Sequence, residues 1–395
     1  MQTVPLHLNV YKPNSNSTAP RAVYVHVPFC LHRCGYCDFT LVAQKDDLIP
    51  SYLQAIRNEL AMQTDVTEVD TIFIGGGTPT HLSIDQLQQL IAAIREKFVL
   101  VEDGEFSLEG NPDGLTDQML HALAELGVNR LSLGVQSFDP DILKTLERHH
   151  SPDEAVDVVQ RAAAIVDNVS LDLIFGVPGQ TLDAWSESLS IAETLPLRHV
   201  STYGLTFEKG TDFFRRQNSG HLSAVPDELE REMYALAMQR LTEKNSSALG
   251  FQHYEISNFA EPGFECRHNM VYWAAQEYFA FGPGAARYIN GQRSTNARSV
   301  TRWVKSWLQN QPALQDSETL DAAAKIKEAV FLGLRRIGGI DLDLFETVHG
   351  VDLRTEFPEA VDSNIGNGLL EISGGMLRLT SEGRFLADSV VVDFL

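Results

Sequence analysis

Three cysteines stand close together near the start of the chain, in the segment C-L-H-R-C-G-Y-C at residues 30–37. Thiolates spaced by four and then three residues can bind one metal centre from a single loop. A structural zinc site takes four protein ligands, and the fourth cysteine, Cys266, lies far away in sequence. A [4Fe–4S] cluster held by three cysteines leaves one iron open for another ligand. The spacing therefore favours an iron–sulfur cluster at Cys30, Cys34 and Cys37 over zinc.

The elements that must position these residues alternate regularly between strands and helices. Strands are predicted at residues 23–27, 71–74, 105–108, 130–135, 169–175 and 199–205. Helices are predicted between them at residues 48–62, 84–98, 116–126, 152–166 and 182–195. Ser83 and Gln86 form a candidate capping box at the second helix. Strands that alternate with helices in this way are typical of βαβ units and a parallel sheet.

Unusual residues follow several of these strands at the point where each strand ends. The segments are G-G-G-T-P at residues 75–79, E-G-N-P at 109–112, Q-S-F at 136–138 and G-V-P-G at 176–179. Functional residues of parallel α/β folds collect at the carboxyl ends of the strands. One end of a barrel or open sheet is therefore expected to bring these segments and the cysteines together.

The pattern changes after about residue 225. A helix is predicted at residues 228–243, followed by a segment rich in His, aromatic residues and Gly at residues 251–288. Further helices are predicted at 322–334 and 342–349, and two short β-runs at 369–373 and 376–379 flank Gly374 and Gly375. A Gly-Gly pair between β-runs is typical of a hairpin. The C-terminal part is therefore expected to be a small α-rich, winged-helix-like module.

Charge and composition exclude several classes of protein. Lys+Arg 31 against Asp+Glu 53 gives a net charge of −22, which disfavours binding to nucleic acid or to anionic lipid. No apolar run is long enough for a membrane span, and residues 1–20 do not resemble a secretory signal. Clustered cysteines indicate a reducing compartment. A soluble cytoplasmic protein is expected; peripheral association with a membrane stays open, although no basic amphipathic helix indicates it.

The cysteine spacing, with an aromatic residue before the last cysteine and the glycine run at residues 75–77 one βα unit later, resembles the radical S-adenosylmethionine (SAM) superfamily. A glycine-rich turn alone is more often only a strand end. The resemblance implies that the open iron binds the amino and carboxylate groups of SAM. It also implies that one electron then splits an S–C bond of SAM to give a 5′-deoxyadenosyl radical.

Further motifs resemble the branch that contains oxygen-independent coproporphyrinogen III oxidase and the HemW haem chaperones. They are Y-V-H-V-P-F-C (24–30), G-G-G-T-P-T (75–80), E-G-N-P (109–112), G-V-Q-S (134–137), L-E-R-H-H (146–150) and D-L-I-F-G-V-P-G (172–179). The resemblance implies an α/β fold, a partial (β/α)6 radical SAM barrel over residues 21–300. It also implies a haem- or substrate-binding extension at about 250–290, a HemN-type helical module at 315–395 and a flexible lead-in at 1–20.

By the same resemblance, nine residues contact SAM: Tyr24, Tyr36, Gly76, Gly77, Thr78, Glu109, Gln136, Arg148 and Asp172. Their chemistry agrees, because a guanidinium can bind the SAM carboxylate and carboxylates can accept from its amino group or ribose hydroxyls. Each also has a structural alternative. Asp172 can cap a loop, Gln136 can satisfy backbone groups, and Arg148 can pair with Glu147 or Asp141.

Two features separate the members of this branch. The oxidase has a further cysteine two residues after its third and a longer N-terminal region, whereas this chain has Phe39 there and 29 residues before Cys30. The segment H-N-M-V-Y-W at residues 268–273 resembles the H-N-x-x-Y-W motif of the HemW family, which is associated with haem. Imidazole and thiolate ligate haem iron and aromatic rings pack on porphyrins. The haem-binding set is His268, Asn269, Tyr272, Trp273 and Cys266, with a purely structural role as the alternative.

The sequence therefore predicts a HemW-like haem chaperone with a SAM-bound [4Fe–4S] cluster that transfers haem to acceptor proteins such as respiratory enzymes. The alternative is an enzyme of porphyrin biosynthesis, the oxygen-independent coproporphyrinogen III oxidase (a coproporphyrinogen dehydrogenase). An electron donor for the cluster and a homodimer are further expectations, and nucleic acid is not expected as a partner. No catalytic residue is assigned.

Overall fold

The computed structural model describes residues 20–243 and 250–395. The expected lead-in at residues 1–20 lies outside the described residues, except for Pro20. Within the two described ranges, every helix is too short or too polar to span a lipid bilayer.

Strands and helices alternate through the first half of the chain as the sequence predicts. The elements are β1 (Ala22–Val27), β2 (Phe29–Cys30), β3 (Val42–Ala43), α1 (Ile49–Leu60), β4 (Thr67–Gly76), α2 (Ile84–Arg95), β5 (Phe98–Gly110), α3 (Asp117–Glu125), β6 (Arg130–Gln136), α4 (Pro140–Thr145), α5 (Pro152–Ala163), β7 (Asn168–Phe175), α6 (Leu182–Thr194) and β8 (His199–Gly204). The second helix is shorter than expected because Phe98, an apolar residue that also fits the helical periodicity, begins strand β5.

The capping box predicted for α2 is present. The backbone N–H of Gln86 donates to the Ser83 hydroxyl at 3.3 Å, and the backbone N–H of Ser83 donates to the Gln86 side chain at 2.9 Å. Two N–H groups that the helix leaves without partners are satisfied in this way. The helix therefore begins at Ile84, where the sequence predicts.

The middle of the chain adds short elements around the barrel. They are α7 (Asp212–Asn218), α8 (Asp227–Thr242), β9 (Gln252–Glu255), β10 (Asn258–Ala260), α9 (Arg267–Trp273), β11 (Phe279–Phe281), β12 (Ala286–Ile289), β13 (Gln292–Asn296), α10 (Val300–Trp307) and β14 (Leu314–Thr319). Strands β12, β13 and β14 form a separate antiparallel sheet. Helix α10 packs on α1, where Trp303 contacts Tyr52 with ring centres 5.7 Å apart.

The main sheet has nine strands in the order β11-β1-β4-β5-β6-β7-β8-β10-β9. Strands β1 to β8 of this sheet and the edge strand β11 run parallel, and β10 and β9 continue the other edge antiparallel. In the described part of the chain the two edge strands do not pair with each other. The predicted partial barrel is therefore confirmed.

The two faces of this sheet differ in polarity, since successive side chains of a strand point to opposite faces. One face packs against the helices through apolar side chains such as Phe106, Leu108, Leu131 and Leu171. The other face lines the barrel interior with polar residues at alternate positions, namely Glu105, Ser107 and Glu109 of β5, Arg130 and Ser132 of β6, Ser170 and Asp172 of β7, and His199 and Ser201 of β8. The interior is therefore built to hold polar groups.

The C-terminal part has its own apolar core, and its predicted helices and hairpin are present. The elements are α11 (Ala322–Gly333), β15 (Ile340–Asp341), α12 (Leu342–His349), α13 (Leu353–Glu356), α14 (Pro358–Gly366), β16 (Leu370–Ser373), β17 (Met376–Leu379) and α15 (Ala387–Val392). Strands β15, β17 and β16 form a small antiparallel sheet. Buried Val330, Leu334, Leu353, Leu377 and Phe394 form the centre of this core.

A buried ion pair joins this module to the barrel. Glu255 of β9 is fully buried, and one of its oxygens accepts from Arg335 Nε at 2.9 Å and Nη2 at 2.7 Å. Its other oxygen accepts from the backbone N–H of Ser257 and from the Asn258 side chain. The guanidinium of Arg335 also lies over the ring of Trp273, 4.7 Å from its centre.

Replacing Glu255 with Ala is expected to lower the free energy of unfolding by about 2–3 kcal/mol. Losing one partner of a fully buried pair costs about 3–5 kcal/mol, and Arg335 retains some access to water. Chemical denaturation measures the change. As a control, Asp157→Ala removes an exposed partner of Arg161 and should cost less than about 0.5 kcal/mol. Equal effects of the two substitutions would contradict this account of the junction.

Candidate functional site

The cysteines lie on a loop whose base is closed by backbone hydrogen bonds; we call residues 30–41 the cysteine loop. Strand β2 pairs with β3, so that Cys30 lies opposite Ala43. The N–H of Val42 donates to the carbonyl of Pro28 at 2.7 Å, and the N–H of Cys37 donates to that of Cys34 at 3.0 Å. The barrel therefore fixes both ends of the loop next to the carboxyl ends of its strands.

A chain of polar contacts connects two of the three thiols across the site. Cys30 Sγ lies 3.2 Å from the Thr78 hydroxyl, which accepts a hydrogen bond from Asn111 Nδ2 at 3.1 Å. Arg148 Nη2 donates to Asn111 Oδ1 at 2.8 Å, and its Nη1 lies 3.9 Å from Cys34 Sγ. The segments that carry Thr78, Asn111 and Arg148, which follow β4, β5 and β6, are thereby fixed around the cysteine loop.

Burial raises the pKa of all three thiols, that of Cys30 to about 11. The Thr78 hydroxyl opposes this effect at Cys30 and Arg148 opposes it at Cys34, while the neighbouring thiols raise the pKa of Cys30 further. A bound metal stabilises thiolates directly. Thiols of this kind, grouped beside a cation, are suitable ligands for an iron–sulfur cluster.

The three thiols are not already arranged as a binding site for a single metal ion. Within residues 20–243 and 250–395, no three side chains of His, Cys, Asp or Glu are arranged to hold a single metal ion. The cluster assignment therefore depends on the motif and on the chemistry of the donors.

Two glycines bring the end of β4 against the cysteine loop. Gly76 has φ +116, and a Cβ there would lie 2.6 Å from the His26 ring. A Cβ on Gly77 would lie 2.7 Å from the carbonyl oxygen of Phe29 and 3.0 Å from Cys30 Sγ. Only glycine allows this approach, so that the backbone itself borders the space next to Cys30.

Two carboxylates occupy the barrel mouth, which we define as the carboxyl ends of β1 and β4–β8. Glu109 Oε2 accepts from the N–H of Gly76 at 2.8 Å, and Asp172 accepts from the Ser132 hydroxyl at 3.2 Å. The surrounding protein excludes water from Glu109, and this burial raises the pKa of its carboxyl to about 7. The charge of Asp172 contributes to the rise, whereas the hydrogen bond from Gly76 opposes it. Burial also raises the pKa of Asp172. A cationic ligand would stabilise the ionised form of both groups.

The other predicted SAM contacts surround the same mouth. Gln136 has φ +70 at an irregularity where β6 pairs with β7. Tyr24 places its hydroxyl 2.9 Å from His26 Nδ1, and Tyr36 packs edge-on against Phe213. The predicted SAM residues Gly77, Thr78 and Arg148 thus lie next to the cysteine loop, and Glu109 contacts Gly76 at the barrel mouth.

Arg148 does not take its structural alternative, a salt bridge with Glu147 or Asp141. Its side chain instead donates to Asn111 and to the carbonyl of Gly134 at 2.7 Å. Asn111 was not assigned a role from the sequence, although it lies in the E-G-N-P segment. Its position directly after β5 is the signal that identifies it.

The predicted haem-binding set lies on and before helix α9, and the ring of His268 is centred 6.4 Å from that of Tyr24, one of the predicted SAM contacts. His268 is 1% exposed; its Nδ1 lies 2.8 Å from the Thr71 hydroxyl and its Nε2 lies 2.8 Å from the Tyr272 hydroxyl. Thr71 pairs with Ala22, the first residue of β1, so this set lies toward the opposite end of the strands from the mouth. Both ring nitrogens of His268 are engaged, and its role as a haem ligand stays a prediction.

Glu105, which the sequence did not single out, holds helix α9 in place. Its oxygens accept from the backbone N–H of Arg267 at 2.8 Å and of His268 at 3.2 Å, and the fully buried Cys266 thiol lies 3.7 Å away. Asn269 is partly exposed on the same helix, and Trp273 packs under Arg335. The motif therefore has a structural function: its helix is held against β5 by Glu105 and contacts the C-terminal module through Trp273 and Arg335.

Known proteins are similar to this chain over both the barrel and the C-terminal module. The Radical SAM superfamily profile matches residues 24–192, and the HemN C-terminal domain profile matches residues 320–386. The heme chaperone HemW of Bacillus subtilis is 37% identical over 380 residues, which cover 95% of this chain and 99% of that protein. The chain belongs to the HemW family. HemW of Mycobacterium tuberculosis is 38% identical over 94% of both chains.

The HemW family also shares its fold with the oxidase of the same branch. The coproporphyrinogen III oxidase HemN from Escherichia coli superposes with a TM-score of 0.82, covering 95% of this chain and 90% of that chain, at 21% sequence identity. At this identity the likeness establishes the fold alone. Membership of the HemW family and of the radical SAM superfamily confirms the family predicted from the cysteine and glycine motifs.

Without SAM, replacing Glu109 with Gln is expected to stabilise the protein relative to wild type as the pH rises from 5 to 8. The folded-state pKa of Glu109 is about 7, and an unfolded glutamate titrates near about 4.3. Wild type therefore loses stability as the pH rises between these values, because a carboxyl shielded from water must ionise. We expect a difference on the order of 2–3 kcal/mol, reduced by partial exposure, from urea denaturation. Parallel pH profiles would contradict the raised pKa.

Proposed function

We propose that this protein is a haem chaperone that carries a SAM-bound [4Fe–4S] cluster and passes haem to acceptor proteins such as respiratory enzymes. The observation that carries the proposal is similarity over 94–95% of the chain to proteins named heme chaperone HemW. It covers the barrel, the H-N-x-x-Y-W segment and the C-terminal module alike. Haem is the cargo in this proposal, not a resident cofactor.

The cluster would be held by Cys30, Cys34 and Cys37. When bound, such a cluster supplies an iron with an open coordination position and a route for one electron. Arg148 would bind the SAM carboxylate, Glu109 its amino group, and Asp172 its ribose hydroxyls. The remaining contacts in this proposal would be Tyr24, Tyr36, Gly76, Gly77, Thr78 and Gln136.

Residue 39 supports the chaperone over the oxidase. The oxidase has a cysteine at this position by the family resemblance, whereas Phe39 is 59% exposed at the surface of the loop and has no metal-binding atom. In the proposed function the cluster controls haem transfer or dimerisation and does not drive decarboxylation. An electron donor to the cluster and a homodimer belong to the same proposal.

Replacing Cys30, Cys34 and Cys37 together with Ala is expected to abolish bound iron, sulfide and the visible absorbance of the cluster. The thiols lie on a loop whose base is closed by backbone bonds, so the circular dichroism of the barrel should be retained. Cys266→Ala is the matched control, because this buried thiol lies outside the loop, and it should keep full iron and sulfide. Stoichiometric iron and sulfide in the triple variant would refute the cluster assignment.

The chaperone and the oxidase are separated by an anaerobic assay. The reconstituted protein, SAM, a reductant and coproporphyrinogen III are incubated together, and the decarboxylated product is sought by mass spectrometry. We expect no turnover, together with binding of haem in a parallel titration. Turnover by the wild-type protein that the triple cysteine variant lacks would establish the oxidase instead.

A further inference from the structure

Two histidines that the proposed SAM and haem sets do not include face each other beside the cysteine loop. His32 lies within the loop, and His149 follows α4 in the turn before α5. Their ring centres are 5.3 Å apart and their planes are inclined by 76°. The His32 side chain is 40% exposed, and His149 is exposed. Unlike His268, these two imidazoles are open to an external ligand.

Glu147 orients His32 in the way typical of a metal-binding histidine. The Nε2 of His32 lies 3.0 Å from Glu147 Oε2, and a carboxylate only accepts hydrogen bonds. Nε2 therefore carries a proton, and Nδ1 is left with the lone pair that binds a metal. Glu147 is itself fixed, because Oε2 also accepts from the N–H of Gly35 at 2.9 Å and Arg216 lies 3.6 Å from its other oxygen.

The backbone of Glu147 is consistent with a role for its side chain. Glu147 has φ 57, in the left-handed region that favours glycine. It follows the last turn of α4, where the N–H of Arg148 donates to the carbonyl of Leu143 at 2.9 Å. Glycine is the usual residue at such a helix end, but it would lack the carboxylate that holds His32.

A cavity of about 240 Å³ lies next to His149. Lys144 and Arg148 contribute positive charge to its walls, and Pro140, Leu143 and Pro152 contribute apolar surface. Glu147 also lines the cavity, but its carboxylate already accepts from His32 and from the N–H of Gly35. Arg148 donates to Asn111 and to the carbonyl of Gly134, so Lys144 is the cation of this lining that is suited to an external carboxylate group.

The cysteine loop also exposes apolar side chains. Leu31 is 54% exposed and Phe39 is 59% exposed. Exposed large apolar side chains are typical of a binding surface, and Leu31 directly precedes His32. The face thus combines accessible imidazoles, the apolar side chain of Leu31 and the cation of Lys144, which match the iron, the macrocycle and a propionate of haem.

We propose that haem is carried on this face, with His32 as an axial ligand through Nδ1, His149 as a second imidazole and a propionate near Lys144. Glu147 is a positioning residue that acts through His32. The inference rests on the proposed function and gives it a site. An open face lets the haem leave for an acceptor without unfolding of the barrel, whereas a ligand at His268 would first have to break two buried hydrogen bonds.

The test is a titration of ferric haem into the full-length, cluster-reconstituted protein without oxygen. Wild type is compared with His32→Ala, His149→Ala, the double variant, His268→Ala and the control His121→Ala, an exposed histidine on α3. Difference absorption and electron paramagnetic resonance report the axial ligands. Iron content, sulfide content and SAM binding are measured in each variant. If His32→Ala loses the cluster, the haem binding of His149→Ala, a variant outside the loop, decides whether haem binds at this face.

We expect the double variant to lose the low-spin haem spectrum and to bind haem at least about tenfold more weakly, with added imidazole restoring the spectrum. Glu147→Gln should weaken binding by about tenfold with the spectrum shifted, since Nε2 of His32 loses the carboxylate that orients its ring. His121→Ala should behave as wild type. Unchanged haem binding in the double variant, or loss only in His268→Ala, would overturn this site and leave the chaperone intact. Failure of wild type to bind haem would overturn the proposed function itself.

Discussion

The close approach of the β4 end to the cysteine loop is the constraint on which the rest of the site depends. Gly77 leaves no room for a side chain between its backbone, the carbonyl of Phe29 and Cys30 Sγ. This contact fixes the height of the loop above the barrel. It also places Thr78 next to Cys30, and from there Asn111 and Arg148 next to Cys34. A single steric requirement thereby aligns residues from four segments of the chain.

Much of the barrel could be predicted from the sequence, because the patterns that indicate its strands and helices lie within short segments. Strand ends carry glycines and polar motifs, and Ser83 with Gln86 marks a helix start within four residues. The short strands β9, β10 and β11 could not be predicted, since three or four residues give too little periodicity. The end of α2 was misplaced for a similar reason, because Phe98 satisfies the helical pattern and the strand pattern equally.

Those residues of the candidate site that lie in sequence motifs could be predicted, whereas contacts between residues distant in sequence could not. The cysteines and the glycines can be identified from their spacing in the sequence. The environment of His268 depends on Thr71, which is 197 positions away in sequence, and no local pattern indicates that pairing. The same holds for Glu105 below α9 and for Glu147 beside His32. A histidine in a family motif can therefore have both ring nitrogens engaged by residues that no local pattern links to it.

The ladder between β2 and β3 has a consequence for the order in which the protein is assembled. Backbone bonds from Val42 to Pro28 and from Gln44 to Cys30 close the loop without any contribution from the thiols. The chain entropy of loop closure is therefore lost when the barrel folds, and not when iron and sulfide arrive. Insertion of the proposed cluster would not have to bring the ends of the loop together. It could therefore follow folding of the barrel as a separate event.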